Sequence, residues 1–355
     1  MKLLILTQKV DINDDVLGFF HGWIREFAKH CEKITVICLQ KGEYDLSENV
    51  KVFSLGKEEY LGHSGVIRKF VSFYRFYKYI WQERKNYEVV FVHMNQEYVL
   101  LGGLFWRLMG KKVMLWRNHP AGSFMARIAV LLSDKVFCTS KQSFTARFKK
   151  TEIMPVGIDT ELFRRKPKIE RDEKLILFLG RMSRIKKPDL LINALDILNK
   201  QNVDFKALFV GDPLTEVDRK YYKELNTLVS ECGLEEKVNF SGAIANTKTV
   251  DYYNMCGLFV NLTPSGSMDK TIFEAMSCGC LVLVSNRYFT EVLSENFLFR
   301  ENDVNDLADK LARLLDMDGQ KALDFGAGLR DFVINSQSLD GLAQKISKFY
   351  VDNKS

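Results

Sequence analysis

Short apolar runs alternate with longer amphipathic stretches along the whole chain, and this alternation constrains the fold more than any other feature. In the first half, the runs typical of buried strands are KLLILT, KITVICL, VKVFSL, EVVFVHM, KVMLWRN and KVFCTS. The pattern begins again at KLILFLG and continues through KALFVG, VNFSG, GLFVNL and CLVLVS. Apolar strands that alternate with helices predict parallel sheets covered on both faces. The chain is therefore predicted to be α/β, with two Rossmann-like doubly wound domains.

The length also favours two domains, because 355 residues exceed one typical core. Pro155 and Gly157, followed by a charged stretch, indicate the break between them. We predict an amino-terminal domain over residues 1–163, a second domain over 164–335 and a carboxyl-terminal helix within 336–355. Ligands of doubly wound sheets bind at the carboxyl ends of the strands, so the ligand is expected in a cleft that the two domains face.

Basic residues are concentrated in the first half of the chain. Residues 1–165 contain 26 Lys and Arg against 17 Asp and Glu, although the net charge of the whole chain is only +6. Such an excess favours an anionic partner, namely nucleic acid, a phosphorylated lipid or an anionic membrane surface. No recognised nucleic-acid-binding module accompanies the charge, so we expect no nucleic acid partner.

Targeting signals and the use of cysteine indicate the cellular compartment in which the protein is expected. The first apolar run is too short and too soon interrupted for a signal peptide, and no run approaches the roughly 20 apolar residues of a spanning helix. Of the seven cysteines only Cys278 and Cys280 are close, and their spacing is not that of a redox or zinc pair. We expect buried thiols in a cytoplasmic protein, either free or peripheral on the inner face of the membrane.

A group of basic residues follows the first strand of the second half. Arg181, Arg184, Lys186 and Lys187 precede a segment with helical apolar spacing, in which Pro188 fits the first turn. Basic side chains and backbone amides at a helix start can bind phosphates. The alternative is a solvated basic loop without a ligand.

The stretch SGSMDKTIFEAMSCG, residues 265–279, has the same layout after a later strand. Gly266 permits close backbone approach, Asp269 or a neighbour begins a helix, and Gly279 ends it. The free amides of this helix start would form a second anion-binding surface. Helical side chains lean toward the amino terminus, so Glu274 is expected to reach back and accept hydrogen bonds from hydroxyls such as those of a ribose. The alternative for Glu274 is an exposed helical acid.

These segments resemble a known family. FLGRMSRIKKPDLLINAL is similar to the start of the donor-binding domain of GT-B glycosyltransferases, especially glycosyltransferase family 4. FVNLTPSGSMDKTIFEAMSCGCLVLVSN resembles the acidic motif of that family, in which two glutamates stand eight positions apart. The resemblance is strong over residues 175–292 and weaker in the first half. It implies the GT-B fold and a nucleotide diphosphate sugar as donor.

The resemblance also implies roles for single residues. Arg181 and Lys186 would hold the diphosphate as catalytic residues, and Glu274, the second motif glutamate, would bind the ribose. The first glutamate would fall at position 266, where this chain has Gly266. Such turns resemble a variant within the family, so the departure does not imply an inactive enzyme. Asp269 would supply the missing carboxylate to sugar hydroxyls, or serve only as the helix N-cap.

The turn as a whole is expected to contribute to donor binding. Its backbone amides would face the sugar and the phosphate. For Lys270 the alternative to phosphate neutralisation is a solvated side chain, which we favour. The donor-binding residues predicted in this turn and helix are Gly266, Ser267, Met268, Asp269, Lys270, Thr271 and Glu274.

In the first domain, His119 is the third predicted catalytic residue. It follows a strand in WRNHPAGS, and the resemblance implies contact with the donor sugar. The alternative is a structural histidine, which is the favoured interpretation of His93 at the end of another strand. Gly18 lies after the first strand, where the family has a glycine-containing loop near donor and acceptor, and a glycine would permit that close approach.

Two helical segments concern partners and architecture. SGVIRKFVSFYRFYKYIWQERK places aromatic residues at helical spacing among Arg68, Lys69, Arg75 and Lys78, as in a membrane-facing helix. The alternative, which we favour, is a core-packed helix with a basic solvent face. SLDGLAQKISKFYVDN is predicted to be amphipathic, and the resemblance implies that it crosses back to the first domain.

Together with these patterns, the resemblance implies a retaining, hexosyltransferase-type glycosyltransferase that needs no metal or other cofactor. It would move a sugar from a nucleotide diphosphate sugar to a hydroxyl of a glycan or lipid-linked acceptor, in glycan, polysaccharide or glycolipid synthesis. Retention is implied by the resemblance alone, and no acid and histidine cluster has the spacing of a metal site. The alternatives are a sugar-nucleotide epimerase of the same fold and a noncatalytic nucleotide-sugar-binding subunit.

Overall fold

The structure, a computed structural model, describes residues 1–59, 65–266 and 268–351. They form two compact units, of which the first comprises Met1–Gly157 with the segment from Ser338, and the second Ile158–Gln337. The division after Gly157 precedes the predicted boundary at 163. The reason is that Phe163 packs edge-on against Tyr253 at 6.1 Å between ring centroids, within the second unit.

The first unit is built on a parallel sheet. Its strand order is β3-β2-β1-β4-β5-β6-β7, so the order reverses between β1 and β4. The elements are β1 (Lys2–Val10), α1 (Gly18–His30), β2 (Lys33–Lys41), β3 (Val50–Ser54), α2 (Gly65–Gln82), β4 (Val89–His93), α3 (Gln96–Leu108), β5 (Lys112–Trp116), α4 (Phe124–Leu132), β6 (Lys135–Cys138), a 3-10 helix (Phe144–Arg147) and β7 (Thr151–Ile153). All six strands predicted for this half are present, and the short β7 is an addition.

Both faces of this sheet are buried, which explains why its strands are continuous apolar runs. Leu3 and Ile5 of β1 pack in one core with Trp23 of α1. Leu4 and Leu6 lie in a second core with residues of α2 and α3. Because successive strand residues point to opposite faces, a four-residue apolar run supplies both cores.

The second unit repeats this plan around a five-stranded parallel sheet. Its strand order is β10-β9-β8-β11-β12. The elements are β8 (Asp172–Leu179), α5 (Pro188–Lys200), β9 (Lys206–Val210), α6 (Glu216–Glu231), β10 (Val238–Gly242), α7 (Thr249–Met255), β11 (Cys256–Asn261), α8 (Lys270–Ser277), β12 (Leu281–Val284), α9 (Val304–Leu315) and α10 (Gly319–Gln337), with 3-10 helices at Asn246–Lys248, Arg287–Glu291 and Glu295–Phe297. The predicted α/β class with two doubly wound sheets is confirmed.

Glycine allows two strands of the second sheet to end close together. Gly211 follows β9 with φ of +136°, and a Cβ placed there would lie 2.1 Å from the carbonyl oxygen of Gly180. The amide of Gly180 in turn donates to the carbonyl of Val210 at 2.9 Å. A side chain at position 211 would therefore separate the ends of β8 and β9.

The last helix, α11 (Leu339–Val351), belongs to the first unit. Leu339, Leu342 and Ile346 are buried in the same core as Trp23 of α1. The chain thus returns to the first unit after completing the second.

Helix α2 presents two different faces. Phe76 and Ile80 are buried, whereas Phe70 is 74% exposed and Trp81 is 54% exposed. The core-packed interpretation therefore describes one face only. Across the described residues, no helix combines the length and the apolar character needed to cross a membrane.

Candidate functional site

The two strands that lead into the predicted site are neighbours in the second sheet. β8 lies between β9 and β11, and β11 lies between β8 and β12. Phe178 of β8 is paired with Val260 of β11 in parallel register. The chain continues from β8 to one side of the sheet and from β11 to the other, and such a reversal opens a crevice at the carboxyl ends of the strands. The loops 180–187 and 262–269 both begin at this crevice.

The loop after β8 places its basic residues in different environments. The side chain of Arg181 is exposed, and Arg184 pairs at the surface with Glu224 at 2.5 Å. The side chain of Lys186 is only 20% exposed. Lys187 adopts a left-handed conformation with φ of +51° immediately before α5, whose first residue is Pro188 as predicted. Of these cations, Lys186 is the one held inside the crevice.

The turn after β11 is fixed by hydrogen bonds on its outer side. The amide of Ser265 donates to Glu301 at 2.6 Å, and its hydroxyl accepts from the amide of Arg287 at 2.9 Å. Gly266 has φ of +100°, which L-residues with side chains rarely adopt. A glutamate at position 266 would thus be strained in this turn. The prediction for Ser267 lies outside the described residues.

Asp269 begins helix α8 and contacts four other side chains. One carboxylate oxygen, Oδ1, accepts from the amide and the hydroxyl of Thr271 at 3.2 and 2.9 Å. The other, Oδ2, accepts from Asn261 Nδ2 at 3.0 Å, from Thr263 Oγ1 at 2.9 Å and from Lys186 Nζ. Lys186 also donates to Thr263 Oγ1 at 3.1 Å. The lysine predicted to bind phosphate is therefore held by the N-cap of the neighbouring helix.

These contacts use the full acceptor capacity of the Asp269 carboxylate. A carboxylate has about four lone-pair sites, and five protein groups donate to this one. The side chain is 10% exposed. Burial by itself raises the pKa of the Asp269 carboxyl, but Lys186 and the hydrogen bonds from Asn261 and Thr271 outweigh burial and hold it well below its usual value. The carboxylate of Asp269 is therefore ionised, and groups of the protein itself occupy its hydrogen-bonding capacity.

The amide of Thr271 is also engaged, because it donates to the Asp269 side chain. Of the backbone amides predicted to bind an anion at this helix start, only those that precede Thr271 are therefore still candidates. Met268, between Gly266 and the N-cap, is half-buried. Gly279 follows the helix with φ of +64°, as expected of a residue that ends a helix.

Glu274 is buried one turn further along α8, with 2% of its surface exposed. Its Oε2 accepts from the hydroxyl of Tyr253 at 3.1 Å and its Oε1 from Asn246 Nδ2 at 3.2 Å. Burial raises the pKa of the Glu274 carboxyl, although the charge of Lys270 opposes this shift. Glu274 is therefore not the exposed helical acid of the alternative interpretation.

Lys270 lies one turn before Glu274 on the same helix and is half-buried rather than fully solvated. Burial lowers the pKa of its ammonium to about 7, and Glu274 works against that decrease. A lysine in this position can change its charge near neutral pH when an anion arrives. Lys270 and Glu274 thus place a basic and an acidic group with shifted pKa values one turn apart at the start of α8.

In the first unit, His119 lies in a loop after β5 that hydrogen bonds from Arg117 hold in place. The guanidinium of Arg117 donates to the carbonyls of His119 and Ala121 at 3.2 and 2.9 Å. The side chain of His119 is exposed, and its Nδ1 accepts from the amide of Ala121 at 3.0 Å. Nδ1 also lies 3.3 Å from the carbonyl oxygen of Ala121. In the neutral tautomer in which Nδ1 accepts from the amide, Nε2 carries the proton and can donate to a hydroxyl. Gly18 is the buried first residue of α1.

His93 has the structural environment favoured by the sequence analysis. It ends β4, is buried, and stacks on Phe20 with ring centroids 3.9 Å apart. Its Nδ1 lies 3.4 Å from Thr7 Oγ1.

Four residues that were not predicted from the sequence hold the predicted ones in place. Asn261 and Thr263 position Asp269 and Lys186, and Asn246 and Tyr253 position Glu274. For Asn261 and Thr263 a signal existed, because both are polar residues at the end of the apolar run GLFVNL. No comparable signal marked Asn246 or Tyr253.

Comparison with solved structures bears on the fold. HepE of Anabaena, solved in complex with UDP-glucose, aligns with a TM-score of 0.76 at 19% identity, covering 99% of this chain and all of that one. WaaG, a glycosyltransferase involved in lipopolysaccharide biosynthesis, aligns with a TM-score of 0.67 at 14% identity, covering 98% of this chain and 99% of that one. These likenesses confirm the predicted GT-B fold of two Rossmann-like domains.

Similarity in sequence links this chain to a curated relative and to a protein family. The GDP-mannose-dependent alpha-(1-6)-phosphatidylinositol monomannoside mannosyltransferase of Mycobacterium tuberculosis is 27% identical over 220 residues, which cover 56% of this chain and 55% of that enzyme. This chain thus spans about half the length of that curated relative. The model of the family described as glycosyl transferases group 1 matches residues 159–352. Because that match extends over more than half of the chain, this protein belongs to the glycosyl transferases group 1 family.

Proposed function

We propose that this protein is a retaining glycosyltransferase of family 4 that moves a sugar from a nucleotide diphosphate sugar to a hydroxyl acceptor without a metal ion. The observation that carries the proposal is the position of Lys186. This half-buried ammonium lies beside the start of α8, at the point where the strand order of the second sheet reverses. Cations and helix starts at such crevices bind phosphate groups.

The charges of this crevice suit the departure of a diphosphate. When the bond between the anomeric carbon of the sugar and the diphosphate oxygen breaks, negative charge develops on the leaving group. Lys186, the exposed Arg181 and the backbone amides of Met268 and Asp269 are the groups that we assign to stabilise it. They are partly fixed before the donor binds, because Asp269, Thr263 and Asn261 hold one another and Lys186.

The remaining assignments concern the rest of the donor. Glu274 has two protein donors and retains acceptor capacity, so we assign it to the ribose hydroxyls. We assign Lys270 to the phosphate, since its pKa of about 7 allows it to gain a proton when the diphosphate binds. His119 and Gly18 are assigned to the side of the donor sugar. The acceptor hydroxyl attacks on the face from which the diphosphate leaves, and no protein nucleophile is assigned.

The relatives support a glycan or lipid-linked acceptor. The mycobacterial relative is named for transfer to a phosphatidylinositol monomannoside, and WaaG is described as acting in lipopolysaccharide biosynthesis. We propose a comparable role in glycan, polysaccharide or glycolipid synthesis. Exposed aromatic residues on α2, together with Arg68 and Lys69, suit contact with an anionic membrane surface from the cytoplasmic side.

The proposal is tested with a panel of nucleoside diphosphates and nucleotide sugars. One nucleoside diphosphate is expected to raise the thermal unfolding midpoint, because a ligand at about 100 times its dissociation constant stabilises the folded state by about 2.7 kcal/mol. The matching sugar nucleotide should then be consumed only slowly until an acceptor is added. Conversion to an epimer without acceptor would show an epimerase instead, and binding without turnover in the presence of acceptor glycans and lipids would show a noncatalytic subunit.

Glu274→Gln separates a functional carboxylate from a structural one. Above pH 4.5, the usual pKa of a glutamate, the ionised Glu274 costs folding stability because burial raises its pKa. Glutamine removes that cost, so the unfolding midpoint at pH 7.5 should equal or exceed that of the wild type. Nucleoside diphosphate affinity, measured by calorimetry, should fall about tenfold through the loss of a charged hydrogen bond to the ribose. A less stable variant with unchanged affinity would make Glu274 a structural residue.

A further inference from the structure

The first unit contains a cavity that the assignments above leave without a role. Its volume is about 270 Å³, and it lies between α2 and α3 beside the ends of β2 and β3. The apolar residues that line it are Leu39, Leu55, Phe73, Phe76, Tyr98 and Leu101. For comparison, an enclosed apolar cavity of about 150 Å³ is enough to bind benzene, whereas this cavity is open to the surface. The space is therefore large enough for part of a hydrocarbon chain.

Polar side chains near this cavity already form hydrogen bonds within the protein. The hydroxyl of Ser72 donates to the carbonyl of Leu55 at 3.3 Å. Tyr98 is buried, and a hydrogen bond connects its side chain to Gln8. With these groups satisfied, the cavity offers an occupant mainly hydrocarbon contact, which favours an apolar group over a sugar or a nucleotide.

Two cations lie at the same cavity. Arg68 and Lys69 contribute to its lining from the first turns of α2, and Lys69 is exposed. Their neighbour Arg75 is instead neutralised by Glu59 at 2.6 Å. The structure thus places positive charge beside an apolar interior, which is complementary to an amphiphile with a negative head group.

Exposed apolar residues continue outward from the cavity on both helices. On α3, Leu104 and Leu108 share a face with Leu101 and are 65% and 89% exposed. On α2, Val66 and Phe70 share a face with Phe73 and are 78% and 74% exposed. Such contiguous exposed apolar surface is typical of a site that contacts lipid or protein. Here it leads into a cavity, as a path for a lipid chain requires.

The position of the cavity agrees with a substrate site. Leu55 directly follows β3, Leu39 lies near the end of β2, and Tyr98 is in the first turn of the helix after β4. β2 and β3 are adjacent in the first sheet, and β4 is separated from β2 by β1. Doubly wound domains bind their ligands at the carboxyl ends of such strands.

We infer that this cavity binds the hydrocarbon chain of the acceptor, and that the acceptor is an anionic lipid whose phosphate groups pair with Arg68 and Lys69. The inference rests on the proposed transferase function, for which it names the acceptor class. A glycan acceptor without a lipid would leave the cavity unused.

The test uses hexyl, octyl and decyl phosphate below their micelle concentrations, with inorganic phosphate as the chainless probe. Calorimetry on the full chain should show affinity rising about fourfold for each buried methylene, which corresponds to about 0.8 kcal/mol. Leu101→Trp fills the cavity and should remove most of this dependence on chain length. Leu131→Trp is the matched control, since it adds the same ring at an exposed position of α4 that does not line the cavity, and it should bind like the wild type.

The charge of the head group is tested separately. The double variant Arg68→Glu and Lys69→Glu should weaken decyl phosphate binding at least about tenfold and leave the uncharged decyl maltoside unaffected. Lys78→Glu, an exposed site on the same helix, is the control. Affinity that is equal for all chain lengths, or that Leu101→Trp does not change, would overturn the inference.

Nucleoside diphosphate binding is measured on every variant to distinguish this inference from the proposed function. Leu101→Trp and the charge variants should bind the nucleotide with wild-type affinity, which also shows that they are folded. If the nucleotide binds and the alkyl phosphates do not, the acceptor assignment is wrong and the transferase proposal stands. If no nucleotide binds the wild type, the transferase proposal itself fails.

Discussion

Lys186→Ala is expected to raise the dissociation constant of the nucleoside diphosphate by roughly 10-fold to 100-fold. The side chain of Lys186 is 20% exposed and lies in the loop after the carboxyl end of β8. A diphosphate bound there gains a hydrogen bond between charged groups that contributes about 1.5 to 3 kcal/mol. The same substitution removes the cation from Asp269. It should therefore also lower the free energy of unfolding by about 3 kcal/mol.

Two other residues of the same loop serve as comparisons for this experiment. Arg184→Ala removes an exposed ion pair with Glu224 and a cation–π contact with the ring of Tyr221 at 4.5 Å, so it should leave affinity unchanged and lower stability by only about 1 kcal/mol. Arg181→Ala removes an exposed cation that we assign to the diphosphate, so it should weaken nucleotide binding without destabilising the fold. Isothermal calorimetry and denaturant unfolding measure the two quantities. If the folded Lys186→Ala variant bound the nucleotide with unchanged affinity, Lys186 would not be part of the nucleotide site.

Replacing Asp269 is expected to have the largest effect on stability. Asp269→Asn retains an N-cap but leaves the ammonium of Lys186 without its carboxylate, at a cost of about 3 kcal/mol. Asp269→Ala also removes the cap and should cost about 1 kcal/mol more. The pKa of Asp269 is lowered in the folded state, so its contribution is complete above the usual value of 3.8 and disappears as the pH falls through the lowered pKa. The difference between wild type and Asp269→Asn should therefore be constant at neutral pH and vanish in strong acid.

The same variant decides whether Asp269 contacts the donor sugar. Its carboxylate already accepts from five protein groups, so we expect it to act by positioning Lys186. In that case Asp269→Asn changes the affinities for the nucleoside diphosphate and for the nucleotide sugar by the same factor. A loss confined to the nucleotide sugar would show a direct contact with the sugar and restore Asp269 as the substitute for the carboxylate absent at Gly266.

The fold was predictable because its strands are buried on both faces. Such strands are apolar throughout, as in KLLILT, and the periodicity changes where a helix begins. β7 was missed because three residues, Thr151–Ile153, are too few to show a pattern. Phe163 was assigned to the wrong side of the unit division because its partner, Tyr253, is far away in sequence.

Site residues could be predicted only where a recognisable motif lies within a single segment of the sequence. Lys186 and Glu274 were found from motifs within single loops and helices. The contact between Lys186 and Asp269 was not predicted, because the two residues are 83 positions apart in the sequence. They come together only because β8 and β11 are adjacent in the sheet. For the same reason no pattern revealed the cavity between α2 and α3, whose walls come from four separate segments.

The return of α11 to the first unit has a consequence for biosynthesis. The core around Trp23 includes Leu339, Leu342 and Ile346, so it is incomplete while residues 158–337 are being translated. At roughly 5 to 20 residues per second this interval lasts about ten to forty seconds. The second unit, by contrast, is built from contiguous residues and needs no later segment to complete its core. The earlier-made unit then keeps apolar surface open to chaperones until the last helix emerges.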